Sequence, residues 1–382
     1  MDFSSLRAVM DDIVSWRIPG CDISVEKDGE NVFRYQAGYS DIDAKIPVSP
    51  NALYYIFSAT KPITAAAAVR LMEEGKLSPD DEVGKYISSF NDIKVHLKKD
   101  DGTVDIVPAK RSVKVLDLLT MTAGLDYDLH KPAIEDVKIR TENRAPTVEI
   151  AEAIGRDGLI FQPGEKFNYS LCLDVIGAVI EVASGEKFGD FVKSRIFEPL
   201  GMENTKFSLT EEEKKKIVPL YSYNRDTGKA EKYLYGNRYI LGSEYESGGA
   251  GLSSTVDDYM KFCSMLSNMG KTYSGKRIIS EEYIDLMRKN HLEGNALQDF
   301  RSAWYYLKGY GYGFGVRTAM DASLADKYMS VGEFGWCGAT GAMVLADPKN
   351  HLAVYYAQHM LNNQEWIVHP RLKEALYKDL GF

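Results

Sequence analysis

The stretch from Leu53 to Gly75 constrains this chain of 382 residues more than any other. Ala59–Glu74 reads as a helix: it is rich in alanine, the strongest helix former. Pro62 falls in the first turn, where a missing N–H costs nothing, and Gly75 sits where a C-terminal cap belongs. The apolar run Leu53-Tyr54-Tyr55-Ile56-Phe57 leads into Ser58 at its N-terminus, and an Ala/Ile face follows. Lys61, between them, is therefore expected to be desolvated. Burial lowers the pKa of an amine and makes it a usable base. Out of this context the same pair would read as an N-cap serine with a solvated lysine one turn on.

Bulk properties narrow the remaining options. At 45% hydrophobic and 26% charged, the chain has the make-up of a globular protein with a sizeable core. A formal net charge of -9 and no long Lys/Arg block argue against a nucleic-acid partner. Lys98, Lys99, Lys110 and Arg111 flank the acidic pair Asp100-Asp101, so that stretch reads as a solvated hairpin. The start lacks the charged and apolar regions of an export signal, and no apolar run is long enough to span a bilayer, so a soluble, cytoplasmic protein with no membrane partner is expected. Cys21, Cys172, Cys263 and Cys337 are scattered without a C-x-x-C pair, which indicates neither a zinc site nor a disulfide framework.

Along the chain, residues 4–16 place Leu6, Met10, Ile13, Val14 and Trp16 along one helical face, and Pro19-Gly20 ends that helix. Cys21–Lys27 and Val32–Tyr39 have strand character on either side of Asp28-Gly29-Glu30-Asn31, a hairpin signal. From about residue 80 to 240 the pattern is mainly helical, with Val115–Met121, Thr147–Ile154 and Leu173–Ser184 as candidate helices. A helix over 256–268, strands over 312–317, 341–347 and 351–357, and a closing helix over 364–377 follow. The expectation is one α/β domain of the α+β type. An antiparallel sheet lobe (1–80 and 240–382) is flanked by terminal helices, and a mainly helical lobe (81–239) is inserted into it.

The pattern S-x-x-K occurs three times, at Ser24–Lys27, Ser58–Lys61 and Ser184–Lys187. Nucleophilic chemistry needs hydroxyl and amine on one face at a helix start, where i and i+3 side chains are neighbours and free N–H groups can hold an oxyanion. Ser24 and Lys27 lie in an expected strand, where positions three apart face opposite ways. Ser184 follows a helix in what reads as a surface turn. Ser58 and Lys61 meet the requirement. No serine sits in a G-x-S-x-G elbow, and no histidine lies in a recognisable triad motif.

Phe57-Ser58-Ala59-Thr60-Lys61-Pro62 resembles the first motif of the β-lactamase and penicillin-recognising serine hydrolases, specifically class C β-lactamases and class VIII esterases. Leu118-Leu119-Thr120-Met121-Thr122-Ala123-Gly124-Leu125 is similar to the family's LLTHTSGL segment, and Pro163–Ser170 with Ile196–Met202 resembles its helical-lobe signature. Gly248–Thr255 and Tyr310–Gly315 complete the likeness, which covers nearly the whole chain. The resemblance implies a β-lactamase/transpeptidase-like fold, no cofactor and no metal. Tyr169, which follows the P-G-x-x-F stretch, stands at the family's second catalytic motif, hydrogen-bonding Ser58 and Lys61. A literal Y-x-N at Tyr235-Gly236-Asn237 lacks that preceding stretch and is set aside.

Two departures shape the functional expectation. Leu171 replaces the family's asparagine, and Trp336-Cys337-Gly338-Ala339-Thr340-Gly341 stands where K-T-G belongs, so the cation that binds a β-lactam carboxylate is missing. By analogy the backbone N–H groups of Ser58 and Ala339 form the oxyanion hole, Gly338 lets the strand approach closely, and Leu171, Trp336, Cys337 and Gly338 line the substrate site. Class VIII esterases carry similar sequences at both positions, which points to a carboxylesterase acting through an acyl-enzyme on small neutral esters. The alternatives are a β-lactamase or D-amino-acid peptidase (DD-carboxypeptidase) with the same site, whose substrate would be a small-molecule amide, and a catalytically inactive binding homologue.

Overall fold

The computed structural model describes residues 1–325 and 328–382. Helix α1 (Ser4–Trp16) buries Leu6, Met10 and Ile13 and ends before Pro19, but Trp16, expected on that face, is 43% exposed and donates its indole N–H to Asp12 Oδ2 at 3.1 Å. Strands β1 (Gly20–Lys27) and β2 (Glu30–Asp41) form the expected hairpin. Asp28 and Gly29 at its tip both have positive φ, as a tight turn matching the strand twist requires.

Strands β3 (Ile46–Pro47), β4 (Tyr310–Tyr312), β5 (Arg317–Ala319), β6 (Phe334–Gly335), β7 (Met343–Asp347) and β8 (Leu352–Gln358) complete an antiparallel eight-stranded sheet of order β4-β5-β6-β7-β8-β1-β2-β3. The two ends of the chain meet at its centre, where β8 pairs with β1 from Cys21 against Gln358 to Lys27 against Leu352. Side chains alternate between faces with the two-residue period of a strand. Met343 and Leu345 join a core with α1 and the closing helix, whereas Val344 and Ala346 join the larger core on the opposite face.

The other helices that position the site are α2 (Thr60–Glu73), α3 (Cys172–Ser184), α4 (Val256–Ser267) and α5 (Glu365–Asp379). Helix α2 is buried on every side through its first ten residues. A helix without a polar face belongs in an interior, and its alanines let neighbours approach closely. Helices at Val115–Leu119 and Thr147–Arg156 match expectation to within two residues. The charged stretch beyond Ile93 is a hairpin of Lys94–Lys98 with Val104–Pro108, largely exposed but anchored to the core by the buried Val95. Among the described residues no helix is long and apolar enough to cross a membrane.

The sequence reading differs from the structure in places. Residues 312–317 are not one strand: the chain bends at Gly313-Phe314-Gly315 between β4 and β5. Gly315 (φ 65) donates its N–H to Leu119 O at 3.0 Å, and a Cβ there would lie 3.1 Å from Lys61 O. The bend thus packs onto the start of α2, which a straight strand could not do. Helices at Pro132–Arg140, Glu281–Arg288 and Gly294–Ala303 escaped the reading because each buries only two residues. A hairpin of Tyr221–Asn224 with Lys229–Lys232 was missed too, and its first strand pairs in parallel with Met360–Leu361.

A buried charge ties α5 to the sheet. Glu333, just before β6, accepts hydrogen bonds from Lys373 Nζ, Tyr310 OH and, at 2.5 Å, Tyr377 OH. Its neighbours hold the Glu333 carboxyl below the usual range in spite of burial. Lys373→Met should leave this carboxylate buried without its counter-ion and destabilise the fold by about 3 kcal/mol, measured by denaturant titration. A Lys373→Met/Glu333→Gln double variant should recover part of that loss, and a single variant as stable as the parent would contradict the assignment.

Candidate active site

Ser58 lies in a 3-10 turn, Phe57–Ala59, that runs directly into α2. Phe57 is held at φ 45, a left-handed conformation that is costly for an aromatic residue and persists only where surrounding structure enforces it. The enforcement is visible. Ile56 N donates to Leu252 O at 3.1 Å, Tyr54-Tyr55 pair with Ser253-Ser254, and Tyr259 OH from α4 donates to Ala59 O at 2.5 Å. The turn presents Ser58 half-buried, one helical turn before a fully buried Lys61.

Lys61 Nζ donates to Ser58 Oγ at 3.2 Å, Tyr127 OH at 3.1 Å and Gly249 O at 2.8 Å. An ammonium has three N–H donors, so the charged form is fully satisfied. The neutral form also fits: the carbonyl of Gly249 can only accept, but a hydroxyl can donate back to the amine lone pair. Burial lowers the Lys61 pKa to about 8, and the negative charge of Asp174 opposes that shift. The amine can therefore exchange a proton with Ser58 near neutral pH.

Asp174, on α3, shapes the loop that supplies the Gly249 carbonyl. Its Oδ1 accepts from Tyr245 OH at 2.7 Å and Ser247 Oγ at 2.5 Å, and Ser247 Oγ accepts from Ala250 N at 3.0 Å. A Cβ on Gly249 would lie 2.3 Å from Asp174 Oδ2, so this close approach requires glycine. Asn237 Nδ2 braces the loop by donating to Ala250 O at 2.7 Å. The literal Y-x-N is thus structural: Tyr235 is 82% exposed and Asn237 is buried under the loop.

The second tyrosine segment is joined to the Leu118–Leu125 segment by backbone bonds. Gly164 N donates to Thr122 O at 2.8 Å, Asn168 N to Met121 O at 2.9 Å and Leu171 N to Asp126 O at 3.1 Å. This pairing brings the rings of Tyr127 and Tyr169 to 5.7 Å between centroids. The expectation that Tyr169 hydrogen-bonds Lys61 is corrected here. Lys61 Nζ lies over the Tyr169 ring, 4.6 Å from its centroid, and the phenol that accepts from it is that of Tyr127. Tyr127 follows the recognised Gly124-Leu125 by two residues. The sequence offered no signal beyond that adjacency.

Tyr169 OH accepts from Trp336 Nε1 at 3.0 Å. Burial pushes the phenol well above its usual pKa, while the Ser58 side chain and the Trp336 indole pull the other way. Trp336 is itself 1% exposed and packs against Trp304, Tyr312 and Tyr169, so it reaches the site through its indole N–H. Leu171 is 3% exposed and belongs to the main core, at the start of α3, rather than to an open substrate surface.

The turn carrying Gly338 and Ala339, which follows β6, lies against the serine turn. A Cβ on Gly338 would lie 2.5 Å from Ile56 O, so the close approach expected of this glycine is made to the protein's own backbone. Gly338 O accepts from Gly341 N at 2.8 Å, and Asn363 Nδ2 donates to Ala339 O at 2.8 Å. Carbonyl and N–H point opposite ways in a trans peptide, so the Ala339 N–H is directed away from the Gly341 turn. Cys337 is half-buried beside it.

Comparison with known proteins agrees with this architecture. The family model described as Beta-lactamase matches residues 6–378. Protein Rv1367c of Mycobacterium tuberculosis is 30% identical over 328 residues, covering 84% of this chain and 80% of that protein. Esterase EstB of Burkholderia gladioli is 27% identical over 385 aligned residues, covering 93% and 90%. Among solved structures, EstCE1, described as a hydrolase with promiscuous acyltransferase activity, superposes with a TM-score of 0.78 at 24% identity, covering 98% of this chain and 97% of that one.

The electrostatics of Lys61 can be tested without any substrate. Asp174→Asn removes a negative charge and Tyr127→Phe removes a hydrogen-bond acceptor, and both of these favour the ammonium over the amine. Each substitution should therefore move the Lys61 midpoint from about 8 to lower pH, read by titrating the Nζ resonance of labelled lysine. Midpoints unchanged in both variants would show that neither group acts on the amine.

Proposed function

This chain belongs to the Beta-lactamase family, and from that premise we propose that it is a serine hydrolase working through an acyl-Ser58 intermediate on esters that carry no charge beside the reacting carbonyl. One observation carries the reading: a buried amine with a pKa near 8 donates a hydrogen bond to a hydroxyl at the start of a helix. The likeness to Esterase EstB supports an ester substrate. Trp336 does as well, because it supplies no cation where a β-lactam carboxylate would need one.

In the proposed sequence, neutral Lys61 takes the proton of Ser58 as Oγ bonds to the ester carbonyl carbon. The backbone N–H groups of Ser58 and Ala339 stabilise the oxyanion. The Lys61 ammonium, which holds the proton taken from Ser58 and lies beside Oγ, returns it to the departing alcohol oxygen. Tyr169 stays protonated, and its phenol, held by Trp336, serves as a hydrogen-bond donor beside Ser58. The C–O bond of the ester breaks, the alcohol leaves, and water activated by the same amine attacks the acyl-Ser58 carbonyl. Acid is released and the serine hydroxyl restored.

Ser58→Ala should abolish covalent labelling by a fluorophosphonate, followed as a mass shift on the Ser58 peptide, and should lower ester hydrolysis at least 1,000-fold. The parent should turn over p-nitrophenyl butyrate far faster than a chromogenic cephalosporin. Labelling at another residue would reject Ser58, and the reverse substrate order would favour a lactamase.

Because the base must be neutral, kcat/KM should rise with pH through a midpoint near 8 and fall about tenfold per unit well below it. A rate independent of pH between 6 and 9 would exclude Lys61 as the base.

A further inference from the structure

We propose that the cavity behind Cys337 is a subsite for a carboxylate carried on an apolar part of the substrate, with Arg317 as its counter-ion. The inference rests on the hydrolase reading above for its catalytic meaning, but the binding it asserts can be measured independently.

The cavity holds about 400 Å³ between the sheet and α5, and Tyr306, Trp336, Cys337, Trp366 and His369 are among the residues on its wall. Arg317, on β5, lines it and is 6% exposed. A guanidinium carries five N–H donors. Arg317 uses one, from Nη2 to Val344 O at 3.3 Å, and its Cζ lies 5.9 Å from the Tyr310 ring centroid. Among the described residues no carboxylate lies within ion-pair distance of it.

The other charges around the cavity do not supply that partner. Lys373 is committed to Glu333, which also accepts from Tyr310 and Tyr377. Glu365 accepts from Tyr306 OH at 2.6 Å, and its charge acts on Cys337 and His369. Glu374 lies on the wall as well. A buried cation with one long backbone bond is costly, and an anion entering the cavity would relieve that cost. Aromatic walls around a planar, forked donor fit a carboxylate on an apolar or aromatic body.

The cavity adjoins the proposed reaction centre. The indole of Trp336 reaches Tyr169 OH, and the same residue lines the cavity. The Cys337 thiol feels Lys61 as well as Arg317 and Glu365. Cys337 and Ala339 are two residues apart, at most about 7 Å along the chain, so a spacer of up to roughly five carbons would join a reacting carbonyl to the cavity. The charge that the K-T-G lysine would have placed beside the carbonyl is here one strand away.

The test measures binding of 4-phenylbutyrate and its neutral counterpart 4-phenylbutan-1-ol by calorimetry, using both the parent and the Ser58→Ala protein. The acid should bind at least tenfold more tightly in both, with an advantage that shrinks as salt is raised. Arg317→Gln should remove the advantage and leave alcohol binding unchanged. Equal binding of acid and alcohol to the unaltered protein would overturn the proposal, whether or not the variant folds. Catalytically, the mono-p-nitrophenyl ester of adipate should exceed the p-nitrophenyl ester of monomethyl adipate at least tenfold in kcat/KM if the carboxylate enters with the acyl group. If it enters with the alcohol, the butyrate ester of 4-hydroxybenzoate should exceed that of methyl 4-hydroxybenzoate. No preference in either pair would overturn the subsite's role in catalysis. Failure of Ser58 to label would sink the hydrolase reading and leave the binding result standing.

Discussion

The amine of Lys61 is fully buried, and its three donors meet one hydroxyl, one phenol and one carbonyl from three separate parts of the chain. Each of those acceptors has to be delivered within hydrogen-bond distance, and much of the local architecture does that delivery. The alanines of α2 let the surrounding segments close in, and the glycine loop at 248–251 turns a carbonyl inward. Asp174 holds that loop and adds a negative charge nearby. An interior amine without these partners would shed its proton at a far lower pH, because desolvation alone penalises the ammonium.

The same reasoning explains Trp336. Where a lysine would bring charge to the reaction centre, an indole brings one N–H and a large apolar surface. The N–H fixes the Tyr169 phenol, and the surface joins Trp304, Tyr312 and Tyr169 in a packed aromatic group. Orientation of the phenol is thereby set by a neutral donor, and the electrostatics of the site rest on Lys61 and Asp174. Positive charge on this side of the sheet is held deeper, at Arg317 and at the Lys373–Glu333 pair.

Much of the fold was legible because its signals are local. Hydrophobic period, a tight-turn hairpin and helix-terminal Pro and Gly marked α1, β1, β2, α2 and α3 to within about two residues at most ends. Elements with little buried surface escaped. Glu281–Arg288 buries only Ile284 and Met287, and the bend at 313–315 is set by contact with Leu119 and Lys61, far away in sequence. At the site, Ser58 and Lys61 were legible because i and i+3 on one helix are neighbours whatever else the chain does.

Tyr127 and Asp174 were not legible as partners of Lys61, and Tyr169 was assigned a contact that Tyr127 makes. Which phenol reaches the amine depends on how the segments near 121 and 168 pair, a register that no spacing within either segment encodes. The sequence by itself determined a helix that had to be buried and a serine and lysine one turn apart at its start, since propensity and helical geometry act over a few residues. Tertiary structure alone decided the third partner of the amine, the indole that holds Tyr169 and the charge left facing a cavity. Those depend on distances between segments far apart in sequence, 66 residues for Lys61 and Tyr127 and 167 for Tyr169 and Trp336, which only the packed core brings within hydrogen-bond range.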